Sequence, residues 1–214
     1  MIHIDVEQGS RAWLQAKVGI PSASSFHKIL TPKTMKLSQS SDGYAHELLA
    51  EQVLGRPLDD ATTEFMQRGT LLEKAARDWY SLQRDVDVTR VGFLMSDDRR
   101  VGCSPDGLVG EDGGLEIKCP SAPVHIGFLL GADADKHRCQ VQGALWITGR
   151  SYWDFVSYNP EMPAALLRFE RDAKFIAALA AALDQFHDSL TMWRAQLATL
   201  GLFPTLAAPE RKSA

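Results

Sequence analysis

In the stretch CSPDGLVGEDGGLEIKCP, residues 103–120, Asp106, Glu116 and Lys118 bring two carboxylates and an ammonium close together. A β-strand turns alternate side chains to opposite faces. Glu116 and Lys118 therefore share one face of LEIKC, while Leu115, Ile117 and Cys119 take the other, which reads as core. Pro105 biases Ser104 to an extended backbone, and Gly107 permits a turn or a close approach just after Asp106. If the runs at 107–109 and 114–118 pair through the EDGG turn, Asp106 reaches the Glu116–Lys118 end of the hairpin. Glu111 and Asp112 are then turn residues. Two carboxylates so placed are hard oxygen ligands suited to Mg²⁺ or Mn²⁺. Such an ion acidifies a bound water and neutralises charge on a phosphate. The neighbouring lysine can orient the water or stabilise the negative transition state.

The spacing alone is weak, since an E-x-K arises by chance about 0.7 times in a chain of this length. The same residues could form a solvated hairpin whose ion pair is worth only about 0.5 kcal/mol. The Pro-Asp-Gly opening, the glycine turn and the apolar alternation favour the metal site. Glu73, in RGTLLEKAARDWY, is the natural fourth member, one helical turn after Gly69. A solvated helical glutamate is the alternative. Gln140 and Gln142 could hydrogen-bond site carboxylates or DNA, or one could be surface and the other a satisfied core amide.

The positioning elements read as helices first, then strands flanked by helices. Ser10 caps a short helix ending near Gly19, and PSASSFHKIL reads as a second helix beginning with Pro21. TPKTMKLSQSSDG reads as a loop. Helices follow over 44–54, ending at Gly55, and over 62–83, with Thr62 or Thr63 near the N-cap and Gly69 inside. VDVTRVGFLM reads as one strand before an SDDRR turn, and short runs at 101–103, 107–109 and 114–119 continue the sheet. HRCQVQGALWIT is helical, SYWDFVSYN and ALLRFER are strands, and 172–200 is a helix with one apolar face, capped by Asp172 and stopped at Gly201. This pattern predicts an α/β (α+β) domain with a central mixed β-sheet flanked by helices.

The chain's 214 residues suit one domain, and a hydrophobic fraction of 45% excludes a disordered chain. No apolar run approaches bilayer-spanning length, and the N-terminus lacks the basic start and apolar middle of a signal peptide. A soluble, cytoplasmic protein is expected. Cys103, Cys119 and Cys139 lack CxxC spacing, so they read as small buried hydrophobes. Net charge is −4, yet residues 8–41 contain no Asp or Glu and carry +5 through Arg11, Lys17, Lys28, Lys33 and Lys36. Local charge decides where an anionic polymer docks. A solvated basic surface without a partner is the competing reading.

RGTLLEKAARDWY, CSPDGLV, LEIKCP and QVQGALWIT, in that order and spacing, resemble the lambda-exonuclease-like family of YqaJ-type viral recombinases. That family belongs to the PD-(D/E)xK nuclease superfamily, whose core is restriction-endonuclease-like. EQGSRAWLQAKVGIPSAS and SYWDFVSYNP carry the likeness further, from about residue 5 to residue 200. The resemblance implies a Mg²⁺-dependent 5′→3′ exonuclease acting on one strand of linear double-stranded DNA. It leaves a 3′ single strand for a single-strand annealing protein in phage recombination. It also implies a homotrimer ring around the DNA. By the same likeness Asp106, Glu116 and Glu73 hold two metal ions together with the Ile117 carbonyl, Lys118 is the catalytic lysine, and Ser24 and Ser104 cradle a 5′ phosphate. Lys17 stands where the family has arginine, a point charge replacing a bidentate fork. The family's downstream arginine has no counterpart in SAPVHIG, which leaves Lys17, Lys28 or His125 to supply the phosphate contact. Gln140 is a further DNA-side candidate.

Two rivals stay open. An endonuclease of the same core would share every catalytic residue and cut internally. A non-catalytic DNA-binding module is disfavoured by the intact Asp106, Glu116 and Lys118. Iron–sulfur relatives are disfavoured because three cysteines cannot supply four thiolates.

Overall fold

The computed structural model describes residues 1–58, 64–131 and 135–204, with side chains between 64 and 70 left aside. The expected N-cap at Thr62 or Thr63 and the surroundings of Gly69 lie outside the described residues.

The chain opens with strand β1 (Ile2–Ile4) and helix α1 (Arg11–Ala16), whose N-cap is Ser10, its hydroxyl accepting from the Trp13 N–H. The helix expected from Pro21 is a 3₁₀ helix, Ala23–Lys28. The expected loop after it folds instead into a small antiparallel hairpin, β2 (Leu30–Thr31) with β3 (Lys36–Leu37). Helix α2 (Ser41–Leu54) then ends at Gly55, which takes a left-handed backbone with φ of 65°. Helix α3 is Glu64–Arg84.

The strand expected over VDVTRVGFLM is in fact two, in different sheets: β4 (Val88–Thr89) and β5 (Phe93–Met95). Gly92 explains the break, because a Cβ there would lie 2.2 Å from the Val6 carbonyl oxygen. Strand β6 (Gly102–Cys103) joins β5 and β1 in a three-stranded sheet. The main sheet runs β10–β9–β8–β7–β4, built from β7 (Gly107–Val109), β8 (Gly113–Lys118), β9 (Tyr152–Ser157) and β10 (Ala165–Glu170). Only β8 and β9 pair in parallel, so the sheet is mixed as expected.

Helices cover both faces. Ala76 and Tyr80 of α3 pack with Leu115 and Ile117 in one core. Tyr80 also donates its hydroxyl to the fully buried Asp154 at 2.6 Å, and Arg168 grips the same carboxylate through two nitrogens. Helix α3 is thereby tied to β9. On the other face lies α5 (Asp135–Thr148), where Gly143 makes room for the ring of Phe26 in the 3₁₀ helix. A Cβ at Gly143 would meet that ring at 2.5 Å. Helix α6 (Ala173–Thr199) starts at the Asp172 cap and buries Phe175, Leu179, Leu183 and Phe186 in the same core. An unexpected short helix, α4 (Ala122–Leu129), lies between β8 and α5. None of the described helices is long and apolar enough to cross a membrane.

Candidate active site

The expected hairpin forms: Gly107 faces Leu115, and the Asp106 N–H donates to the Leu115 carbonyl at 3.1 Å. Asp106 Oδ2 then accepts the Ile117 N–H at 2.5 Å, which fixes the carboxylate against the strand carrying Glu116. Glu116 is 3% exposed, and its Oε1 accepts from Lys118 Nζ at 2.5 Å and from Gln140 Nε2 at 2.6 Å. Gln140 therefore braces the carboxylate, whereas Gln142 is a satisfied core amide between Glu170 and Asp172.

A buried and a half-buried carboxylate placed together repel one another. Burial pushes Asp106 well above the usual carboxylate range, Glu116 and Glu73 push it further, and Lys118 and the Ile117 N–H oppose the rise. Burial works against the Lys118 charge, but Glu116, Asp106 and Glu73 outweigh it and hold the ammonium above its ordinary pKa. In this arrangement Lys118 is a hydrogen-bond donor and point charge at neutral pH.

Glu73 projects from α3 toward this centre but pairs with Arg77 one turn on. Arg77 is 8% exposed, and its Nε donates to the Asp106 carbonyl at 3.0 Å. Its role was not foreseen, although a Glu and an Arg four apart on one helix face are a readable pair. Two further residues went unforeseen. Gln8 donates to the Val91 and Pro105 carbonyls, and Trp13 donates its indole N–H to Ser104 Oγ at 2.8 Å. Both hold the turn that presents Asp106.

Asp106, Glu116, Lys118 and Gln140 line a cleft of about 190 Å³ together with Lys17, Ser22, Ser24 and Ser104. The Ser24 hydroxyl lies 3.0 Å from that of Ser22. Glu73 and Arg77 line a larger neighbouring cleft of about 680 Å³, with Gln8 and Trp13 common to both. Lys28 is set apart from the carboxylates: it pairs with Glu47 at 2.7 Å and lines a third cleft, which shares Lys17, Ser22 and Ser24 with the first. His125 is a correction. It sits in α4, fully buried, with Nδ1 2.8 Å from the Ser157 hydroxyl and Nε2 3.0 Å from the Pro163 carbonyl. A histidine satisfied at both nitrogens in the core does not reach the cleft. Cys103 and Cys139 are buried, and burial pushes both thiols up, Cys139 to about 12, which leaves them unreactive.

Among the described residues, no three His, Cys, Asp or Glu side chains converge as a ready metal cage. A Mg²⁺ site does not require one, since it uses one or two carboxylates with waters and substrate phosphate. Asp106 Oδ1 and Glu116 Oε2 receive no hydrogen bond from the described residues. Those two oxygens, in a pair destabilised by mutual repulsion, fit a hard divalent cation.

Lys17 lies half-buried with Nζ 3.8 Å from the centre of the Trp13 ring. Burial lowers its pKa to about 8, against the pull of Glu51. The free protein thus carries the Lys17 charge below pH 8 and loses it above. If this ammonium receives a phosphate, kcat/KM on DNA falls as pH rises through about 8, by up to about tenfold per unit. In Lys17→Arg that decline disappears, because a guanidinium stays charged. A pH profile of both proteins checks it.

The main sheet, its flanking helices and this cleft together describe a fold already seen in solved proteins. Residues 12–151 match the family described as the YqaJ-like viral recombinase domain. The alkaline exonuclease LHK-Exo from Laribacter hongkongensis is 30% identical, with a TM-score of 0.74 over 89% of this chain and 100% of that one. The same enzyme in complex with dAMP gives 31% identity and a TM-score of 0.76 over the same shares. A phage-related exonuclease from Haemophilus somnus shares the fold at 15% identity, with a TM-score of 0.67 over 83% of this chain and 96% of that one. No curated protein matches. The chain belongs to the YqaJ-like viral recombinase family, and its fold is that of the alkaline exonucleases.

Proposed function

We propose that this chain is a Mg²⁺-dependent exonuclease that removes nucleotides from the 5′ end of one strand of linear double-stranded DNA. The observation carrying this reading is one cleft lined by Asp106, Glu116 and Lys118 and also by Lys17, Ser24 and Ser104. The first group suits phosphodiester hydrolysis and the second suits a terminal phosphate. That LHK-Exo has been crystallised with dAMP, a 5′-mononucleotide, supports the same reading.

In this mechanism the Lys17 ammonium and the Ser24 and Ser104 hydroxyls receive the 5′ phosphate. Ser104 Oγ already accepts from Trp13, so its own O–H is free to donate to that phosphate. Lys118 donates toward the scissile phosphate and steadies the charge that grows on its oxygens. Asp106 and Glu116 would hold the metal, with the Ile117 carbonyl and Glu73 as further ligands and Mn²⁺ as a substitute. Bound Mg²⁺ supplies a more acidic water and neutralises phosphate charge, whether as one ion or two. Attack of water at phosphorus breaks the bond to the 3′ oxygen. It releases a 5′-mononucleotide and leaves a new 5′ phosphate, which can refill the pocket. The resulting 3′ single strand would serve an annealing protein, and a homotrimer ring belongs to the same reading; both rest on family membership.

The test is digestion of linear duplexes with 5′-phosphate or 5′-hydroxyl ends, with Mg²⁺ or chelator, beside closed circular duplex. We expect about a tenfold or greater preference for 5′-phosphate, from charge-assisted hydrogen bonds of about 1.5–3 kcal/mol. No digestion is expected in chelator and none of the closed circle. Cutting of the closed circle, or activity surviving full chelation, overturns the reading.

A further inference from the structure

A second basic pocket lies away from the carboxylates, where the turn before β6 meets α6 and α2. It has a volume of about 250 Å³, and its polar lining is Arg99, Arg100, Arg194, His187, Gln52 and Thr191. Arg99 makes no ion pair among the described residues, and Arg194 makes only a 3.4 Å contact to Gln52 while stacking on Phe203. Arg100 pairs with Asp184 at 3.1 Å, and Asp98 accepts the Arg100 backbone N–H, so acids balance part of this charge. His187 Nε2 is buried without a hydrogen-bond partner in the described structure. That nitrogen is closed off from the pocket, and burial, with Arg100 adding, lowers the His187 pKa to about 4, so its ring is neutral and the arginines carry the pocket's positive charge.

A third cleft lies between this pocket and the candidate active site. The third cleft, about 210 Å³, shares Lys17, Ser22 and Ser24 with the active cleft and Ile20 with this pocket. Gly102 donates to the Pro21 carbonyl at 3.0 Å, tying the two segments together. Arg100 and Ser104 are four residues apart on one segment, at most about 14 Å. Measured along the helix axis, that span covers at most about four nucleotide steps of B-form DNA.

We infer that Arg99 and Arg194 form a second phosphate subsite, which grips the DNA backbone within about four nucleotides of the phosphate held at Ser104. The inference rests on the DNA-processing function proposed above. Such a grip would hold the duplex in register after each nucleotide leaves. It is tested by fluorescence anisotropy with a labelled linear duplex in chelator, across a salt series, using the full chain and the double variant Arg99→Gln/Arg194→Gln. Both side chains are exposed, so the fold should persist, and an unchanged melting temperature verifies this.

The expected result is about tenfold weaker binding and a salt slope lower by about one to two, one for each phosphate that is no longer gripped. Neutral methylphosphonates at the second to fourth phosphates from the 5′ end should weaken wild-type binding similarly and add little to the variant's deficit. Unchanged affinity and slope in the variant, with wild type binding DNA, overturns the subsite alone. Wild type that binds no DNA overturns the proposed function as well. A poly-glutamate peptide that binds wild type but not the variant, with duplex binding unaltered, would make the pocket a protein-docking site and also overturns the inference.

Discussion

Replacing Lys118 with alanine is expected to slow hydrolysis about 10²–10³-fold while duplex DNA is still bound. The magnitude follows from where its charge sits. Lys118 Nζ is 2.5 Å from Glu116 Oε1, and three carboxylates keep it protonated. Loss of that donor removes a positive charge that acts most strongly as phosphate oxygens gain charge. Lys118→Arg keeps the charge but changes its reach, so partial activity is expected. Single-turnover digestion of a 5′-phosphorylated duplex measures the rate, and anisotropy in chelator measures the binding. An unchanged rate in Lys118→Ala would sink the proposed role.

The second large effect is expected at Arg77. Its guanidinium donates to Glu73 and to the Asp106 carbonyl, so one buried side chain connects α3 with the Pro-Asp-Gly turn. Arg77→Met breaks both links. Displacing catalytic groups by about 1 Å can cost about 100-fold in rate, and that is the expected fall in kcat. Stability should drop by roughly 2 kcal/mol, below the usual cost of breaking a fully buried pair, because the Glu73 side chain is 28% exposed. Arg77→Lys reaches one partner but not both, and should fall between. Urea denaturation and single-turnover rates at saturating DNA separate the two effects. A less stable variant with unaltered kcat would make Arg77 a scaffold residue only.

The long helices were legible because their apolar residues recur along one face, as at Phe175, Leu179, Leu183 and Phe186. Helix α4 was not, since it buries His125 and Phe128 while Val124 and Ile126 lie exposed, a pattern with no readable stripe. The split between β4 and β5 was hidden because it depends on the chain just after β1 packing against Gly92, far away in sequence. At the candidate site, strand alternation put Glu116 and Lys118 together, and the turn residues put Asp106 beside them. Periodicity carries no information on Gln8, Trp13 or Arg77, which act through tertiary hydrogen bonds. His125 misled because residue type alone cannot tell a histidine satisfied in the core from one facing an anion.

The pairing of β8 has a consequence for the timing of synthesis. One edge of β8 meets β7, made just before it, but the other meets β9, whose residues 152–157 emerge only after two intervening helices. Gln140, the brace on Glu116, also comes after. A nascent chain that has reached Lys118 already contains Glu73, Asp106, Glu116 and Lys118, but only as a hairpin that is marginal by itself. Its parallel partner must close a long loop before β8 becomes a central strand. The ribosome can therefore release every charged group of the cleft without releasing a competent cleft. Prematurely ended chains lacking β9 carry those residues but not the arrangement.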